Sequence, residues 1–176
     1  IGVVFETIDV DVPEVRGADE SPQAYVERVA RAKAQAGLAI VVPRDLDAVV
    51  LGADTEVVLD DRVFGKPRDA ADAAAMLRVL SGRMHDVISV VCLASTRGER
   101  IAMCASAVTF AELDEVEIER YVATGEPFGK AGAYAIQGRA AGFVAHLSGS
   151  YSGVMGLPLF ETMRLLSEMD VWPDRA

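Results

Sequence analysis

Ala48-Val-Val-Leu-Gly-Ala-Asp54-Thr-Glu-Val-Val-Leu-Asp-Asp-Arg-Val-Phe-Gly-Lys66-Pro67 is the stretch whose reading decides the fold. Val49, Val50 and Leu51 form a short apolar run, as expected of a strand buried on both faces, and the run stops at Gly52. That spacing predicts Asp54 at a strand's carboxyl end, where open α/β sheets place their ligand crevice. Val57 to Leu59 and Arg62 to Phe64 flank Asp60-Asp61, a tight hairpin that returns the chain to Gly65-Lys66-Pro67. One hairpin is therefore expected to present Asp54 and Lys66 to one ligand. Taken singly, each residue has a plainer use: Asp54 as a turn cap, Lys66 as a solvated loop lysine.

Upstream, Phe5 to Val12 alternates in part and reads as a strand ending at Pro13-Glu14, so Glu14 is a second acid just past a strand. Ser21-Pro22 supplies an N-cap and a first-turn proline for a helix through Gln35, with Gly37 as its stop. At 100° per residue, Lys33 falls about 20° from Val26 and about 40° from Val29, on the apolar face. A lysine there must either snorkel or meet an anion.

Downstream, Arg68 to Leu80 is an alanine-rich helix closed by Gly82. Val87 to Ala94 and Ile101 to Phe110 form a longer antiparallel hairpin through Thr96-Arg97-Gly98-Glu99. Asp114 and Glu117 make a capping box for a helix through Val122, with Ile118 and Tyr121 facing inward. From Gly125 to Gly156 glycines cluster, so the backbone bends or approaches something closely, as in loops and bulged strands. Gln137 lies among them, with a donor and an acceptor to offer a base edge. Pro158 opens a last helix, Leu159 to Met169, amphipathic through Phe160, Met163, Leu166 and Met169.

At 176 residues the chain fits one domain, residues 1–176. A net charge of −10 argues against a surface that tracks nucleic-acid backbone. No apolar run approaches the roughly 20 residues of a membrane helix, and no membrane partner is expected. Cys92 and Cys104 read as reduced packing residues of an intracellular, cytosolic protein. Neither a P-loop nor a dinucleotide fingerprint occurs. His85 and His146 are too few and too poorly spaced for a zinc site, and Ser148, Ser150 and Ser152 lack a nucleophile elbow. What remains is carboxylate, lysine and a metal ion.

Six motifs follow in order: Gly52-Ala53-Asp54-Thr55; Gly65-Lys66-Pro67; Leu80-Ser81-Gly82-Arg83-x-His85; Gly125-Glu126-Pro127; Lys130-Ala131-Gly132-Ala133-Tyr134-x-Ile136-Gln137-Gly138; and Gly149-Ser150-Tyr151-x-x-Val154-x-Gly156-Leu157-Pro158. On these the chain resembles the Maf family of nucleoside triphosphate pyrophosphatases, from about Phe5 to the last helix. The resemblance implies an α/β, ITPase-like architecture, a twisted mixed β-sheet flanked by helices with a deep cleft. Gly-Ala-Asp-Thr and Ala-Ile-Gln-Gly look like the branch that prefers dTTP and UTP.

By resemblance, Asp54 corresponds to the proton acceptor, Thr55 and Gln137 to specificity positions, and Glu14, Lys33 and Lys66 to polar residues lining the cleft. The implied reaction splits a pyrimidine nucleoside triphosphate into monophosphate and pyrophosphate, with a role in removing non-standard nucleotides. Oxygen donors, with Asp54 and Glu14 as the ligands, point to Mg²⁺ or Mn²⁺. A homodimer is implied by resemblance alone. Two departures from the family pattern stand out. Its N-terminal strand and Ser-x-Ser-Pro-Arg-Arg loop are missing before Ile1, and Gly129 stands where an Asp usually precedes Lys-Ala-Gly. Two other readings stay open: a non-catalytic nucleotide-binding regulator of cell division, and a 7-methyl-GTP pyrophosphatase.

Overall fold

The computed structural model describes residues 1–172. Ser21 caps α1 (Pro22–Val41) by accepting a hydrogen bond from the Ala24 amide, with Pro22 in the first turn, where its missing N–H costs nothing. The chain then forms β1 (Val50–Leu59), β2 (Arg62–Phe64), α2 (Ala70–Leu80), β3 (Met84–Ser95) and β4 (Gly98–Phe110). After these come α3 (Glu115–Val122), β5 (Val144–Ser148), the short α4 (Tyr151–Val154) and α5 (Leu159–Glu168).

The strand order is β2-β1-β3-β4-β5, and every pair is antiparallel. The α/β class and the flanking helices agree with expectation, but the sheet is not mixed among the described residues. Two-residue turns account for much of this, because they can join only antiparallel neighbours. Asp60-Asp61 is such a turn, with φ of 51° and 62°, the left-handed pair that the short hairpin demands. Thr96-Arg97 is the other, so β3 and β4 begin and end closer together than their apolar runs suggest.

Period-two alternation sorts side chains between two cores. Val58, Ile88 and Val90 face α1 and pack with Tyr25, Val26 and Val29. Val57, Leu59, Val87 and Val108 face the other way, against Leu77 and Leu80 of α2 and Ile118 and Tyr121 of α3. The capping box of α3 forms as its sequence predicts: the Glu117 amide donates to Asp114, and the Asp114 amide to Glu117.

Three expectations are corrected. Phe5 to Val12 forms no strand; Ile8, Val10 and Val12 are half-buried in alternation, but the segment joins no ladder. Helix α1 runs past Gly37 to Val41, because Gly37 is a packing glycine: a Cβ there would lie 2.9 Å from Val50 Cγ1. The glycine-rich segment bends as expected, through two 3₁₀ turns, Ala131–Ala133 and Arg139–Phe143, into β5, whose register against β4 shifts at Thr109/Phe110. Helix α5 keeps Leu166, and Met169 just past its end, against the core as expected, but Phe160 is 74% exposed and Thr162 and Leu165 are buried in its stead. Among the described residues, no helix is long and apolar enough to cross a membrane.

Candidate active site

Asp54 lies in the middle of β1, paired with Val90 of β3, and not at a strand end. The apolar run Val49–Leu51 misleads because it is only the entry to a ten-residue strand, and Leu51 is itself exposed. Among the described residues β2 covers β1 only at Val57–Leu59, so beyond it the Asp54 segment has a strand neighbour on the β3 side alone.

A cleft of about 250 Å³ opens there and wraps around β1. All six residues singled out from sequence, Glu14, Lys33, Asp54, Thr55, Lys66 and Gln137, line it. Asp54 and Glu56 occupy the β1 face that packs under α1; Thr55 turns to the opposite face, where the Lys130–Gln137 segment and the end of α4 form the far wall.

The α1 side carries a chain of charges. Lys33 Nζ lies 2.8 Å from Asp54 Oδ1 and 2.6 Å from Glu14 Oε1, and Lys66 Nζ lies 3.1 Å from Glu14 Oε2. Lys33 therefore meets anions and does not snorkel. Burial opposes its charge, but the bonds and charges of Asp54 and Glu14 prevail and raise its pKa. Glu14 is held below its ordinary pKa, first by the hydrogen bond from Lys33. Asp54 goes the other way: burial raises its pKa, and the Lys33 ammonium only partly offsets this.

The close seat of α1 on β1 sets this geometry. Gly52 makes it possible, because a Cβ there would come 2.4 Å from both the Ala30 carbonyl oxygen and the Ala34 nitrogen. With no side chain between them, strand and helix touch backbone to backbone, and Lys33, one residue before Ala34, reaches Asp54, two residues beyond Gly52. A second close approach seats the far wall. Gly132 adopts φ +67°, and a Cβ there would lie 2.7 Å from Val57 Cγ2.

On the far side, Thr55 Oγ1 is 2.8 Å from Ser89 Oγ across the β1–β3 pair and 3.3 Å from the Gly156 carbonyl oxygen. Ser89 donates to the Gly153 carbonyl at 2.6 Å. Gln137 is exposed at the cleft, free of packing duties. Glu126 braces this wall by accepting from Tyr121 Oη and the amides of Arg139 and Ala140. His85 is a core residue, 3.0 Å from Tyr134 Oη, and His146 is exposed on β5. Cys92 and Cys104 are free, buried thiols.

Sequence reasoning missed Glu56. It is 8% exposed, and burial pushes its carboxyl up to about 7. Its signal was available in the strand period: residue i+2 from Asp54 shares its face. Both Asp54 Oδ2 and Glu56 Oε2 are buried without a hydrogen-bond partner. Among the described residues no group of three or more His, Cys, Asp and Glu gathers as a metal site. The available donors are hard carboxylate oxygens, which suit a cation that draws the rest of its shell from phosphate and water.

An antiparallel sheet under helices, with lysines and carboxylates converging in one cleft, defines an α/β protein with a charged, partly buried cleft. The family model described as Maf-like protein matches residues 1–169, and the chain belongs to that family. It is 61% identical over 168 residues to the dTTP/UTP pyrophosphatase of Xanthomonas euvesicatoria pv. vesicatoria, covering 95% of this chain and 88% of that protein. It is 59% identical over 168 residues to the protein of the same name from Xanthomonas campestris pv. campestris. A third relative, the nucleoside triphosphate pyrophosphatase of Xylella fastidiosa strain 9a5c, is 57% identical over 172 residues, covering 97% of this chain and 90% of its own.

Proposed function

We propose that the chain is a nucleoside triphosphate pyrophosphatase that hydrolyses dTTP and UTP to the monophosphate and pyrophosphate. The observation that carries this reading is the unclaimed Asp54 Oδ2, buried in the cleft beside a lysine-lined wall. The names of the relatives support the substrate class.

Asp54 orients a water and takes its proton as the oxygen attacks phosphorus; the phosphoanhydride bond between the α and β phosphates breaks, and pyrophosphate leaves with the bonding pair. Burial raises the pKa of Asp54 and so makes it a better base than a solvated aspartate. Lys33 and Lys66 offset the charge on the phosphate oxygens in a site where solvent screens little. Glu14 holds both ammonium groups in position before the ligand arrives, and incoming phosphates compete for them. Thr55 and Gln137, across β1 from the charges, meet the base. A divalent cation, Mg²⁺ or Mn²⁺, fits the carboxylate oxygens and, when bound, lowers the pKa of water and neutralises phosphate charge. The same reading carries a cytosolic location and a homodimer, the latter open to test by sedimentation.

The test is pyrophosphate release by the purified protein from a nucleotide panel, with and without chelator. Release from dTTP and UTP that stops on chelation is the expected result. Binding without release is the outcome for a non-catalytic regulator of cell division, and preference for 7-methyl-GTP that for the other branch of the family.

A further inference from the structure

Glu56 is the one buried acid of the cleft to which the reaction above gives no task. It projects from the same face of β1 as Asp54, about 7 Å along the strand. Glu56 is 8% exposed and the Asp54 side chain 9% exposed, and each keeps one buried oxygen with no hydrogen-bond partner. Lys33 and Lys66, the cations whose charges reach Glu56, are committed elsewhere: Lys33 to Asp54 Oδ1 and Glu14 Oε1, Lys66 to Glu14 Oε2. Buried carboxylate oxygens without partners are costly, and a cation is the partner that two of them on one face share best. Glu14, the second ligand expected from sequence, has both oxygens occupied by lysines.

We infer that Asp54 and Glu56 together hold the divalent cation of this protein, with Glu56 in place of Glu14 as the second carboxylate. The phosphate oxygens that complete the shell rest on the pyrophosphatase reading; the pair of carboxylates does not.

The experiment is a Mn²⁺ titration of the purified chain, alone and with α,β-imido-dUTP, followed by the electron paramagnetic resonance signal of free Mn²⁺. Glu56→Gln is expected to weaken Mn²⁺ at least about 10-fold while melting no lower than wild type, since it removes a buried unpaired acid. Glu14→Gln, by contrast, is expected to bind Mn²⁺ as tightly as wild type, a comparison that separates the two acids even where Glu56→Gln is poorly folded. Wild-type Mn²⁺ affinity in Glu56→Gln, a loss of affinity in Glu14→Gln as large as that in Glu56→Gln, or no Mn²⁺ uptake by wild type each overturns the assignment. Pyrophosphate release scored on the same wild-type sample keeps the two readings apart. Release with unaltered Mn²⁺ affinity in the variant refutes the role of Glu56 alone. Absence of release refutes the pyrophosphatase, while the titration still decides the role of Glu56.

Discussion

Lys33 reaches across from α1 to place its ammonium 2.8 Å from Asp54 Oδ1, so the proposed base and a proposed phosphate cation are already paired before any ligand enters. Asp54 keeps its second oxygen unclaimed. Asp54→Asn preserves the shape and removes the charge. Pyrophosphate release is expected to fall at least about 100-fold in kcat. The melting temperature should stay within roughly 2–4 °C, about 1 kcal/mol. Retention of more than a few per cent of kcat would remove Asp54 from the role of base.

How much of this site the sequence shows depends on whether a signal is local. The Asp60-Asp61 hairpin, the Ser21 and Asp114 caps and the Lys33 position on an apolar helix face are set by neighbours within a few residues, and each is legible. The approach of α1 to β1 at Gly52 is not: a glycine before an acid looks like a strand ending until the helix packed on it is seen. Glu56 was hidden for a related reason, since a charged residue inside a strand reads as solvent-facing unless something covers it. Asp54, Thr55, Lys66 and Gln137 lie within the motifs, and Glu14, Lys33 and Glu56 outside them; the division of the cleft between two faces of one strand is written in none.

The two lysines are expected to separate by burial. Lys33 is 22% exposed in its side chain and Lys66 59%. Both alanine variants should raise KM and lower kcat. Lys33→Ala should also cost about 1–3 kcal/mol in urea unfolding, because it strands the buried Asp54. Lys66→Ala should stay within about 0.5 kcal/mol of wild type. Unaltered kinetics in Lys33→Ala, with stability alone lost, would return that lysine to packing.

Gly52→Ala tests the spacing of strand and helix. A methyl group 2.4 Å from two backbone atoms of α1 has no flexible neighbour to displace, so the helix itself must move. A loss of about 1–3 kcal/mol is expected, with kcat/KM reduced as Lys33 is carried away from Asp54. Wild-type values for both would show that α1 accommodates the change without shifting the site.

Base choice should follow Gln137. Wild-type kcat/KM for dTTP and UTP is expected to exceed that for dATP and dGTP by at least about 10-fold, roughly 1.4 kcal/mol, and Gln137→Ala should narrow the gap by slowing the pyrimidines. Equal rates across the wild-type panel would leave Gln137 with no specificity role.

Acid should act through the core at His85. Burial against Tyr134 and Phe110 lowers its pKa from an ordinary 6.5 to about 4. A depressed folded-state pKa means the contribution is whole above pH 6.5 and is lost as the pH falls through 4, by an amount of up to about 3 kcal/mol. Urea unfolding of wild type and His85→Asn between pH 7 and 4 should show the shallower loss in the variant. Parallel curves would assign acid sensitivity to the carboxylates.

Each hydroxyl owns one proton, and in the Thr55–Ser89 pair that arithmetic has a direction. Ser89, 1% exposed, spends its proton on the Gly153 carbonyl at 2.6 Å, so the Thr55 proton goes to Ser89 Oγ at 2.8 Å or to the Gly156 carbonyl at 3.3 Å, an inward partner either way. Thr55 is thereby left with lone pairs to offer on its cleft side. An oxygen poised only to accept calls for a donor on the facing edge, which the N3–H of uracil and thymine supplies. The polarity that the proposed nucleotide would meet at Thr55 is thus set from beneath, with the buried Ser89 one strand deeper.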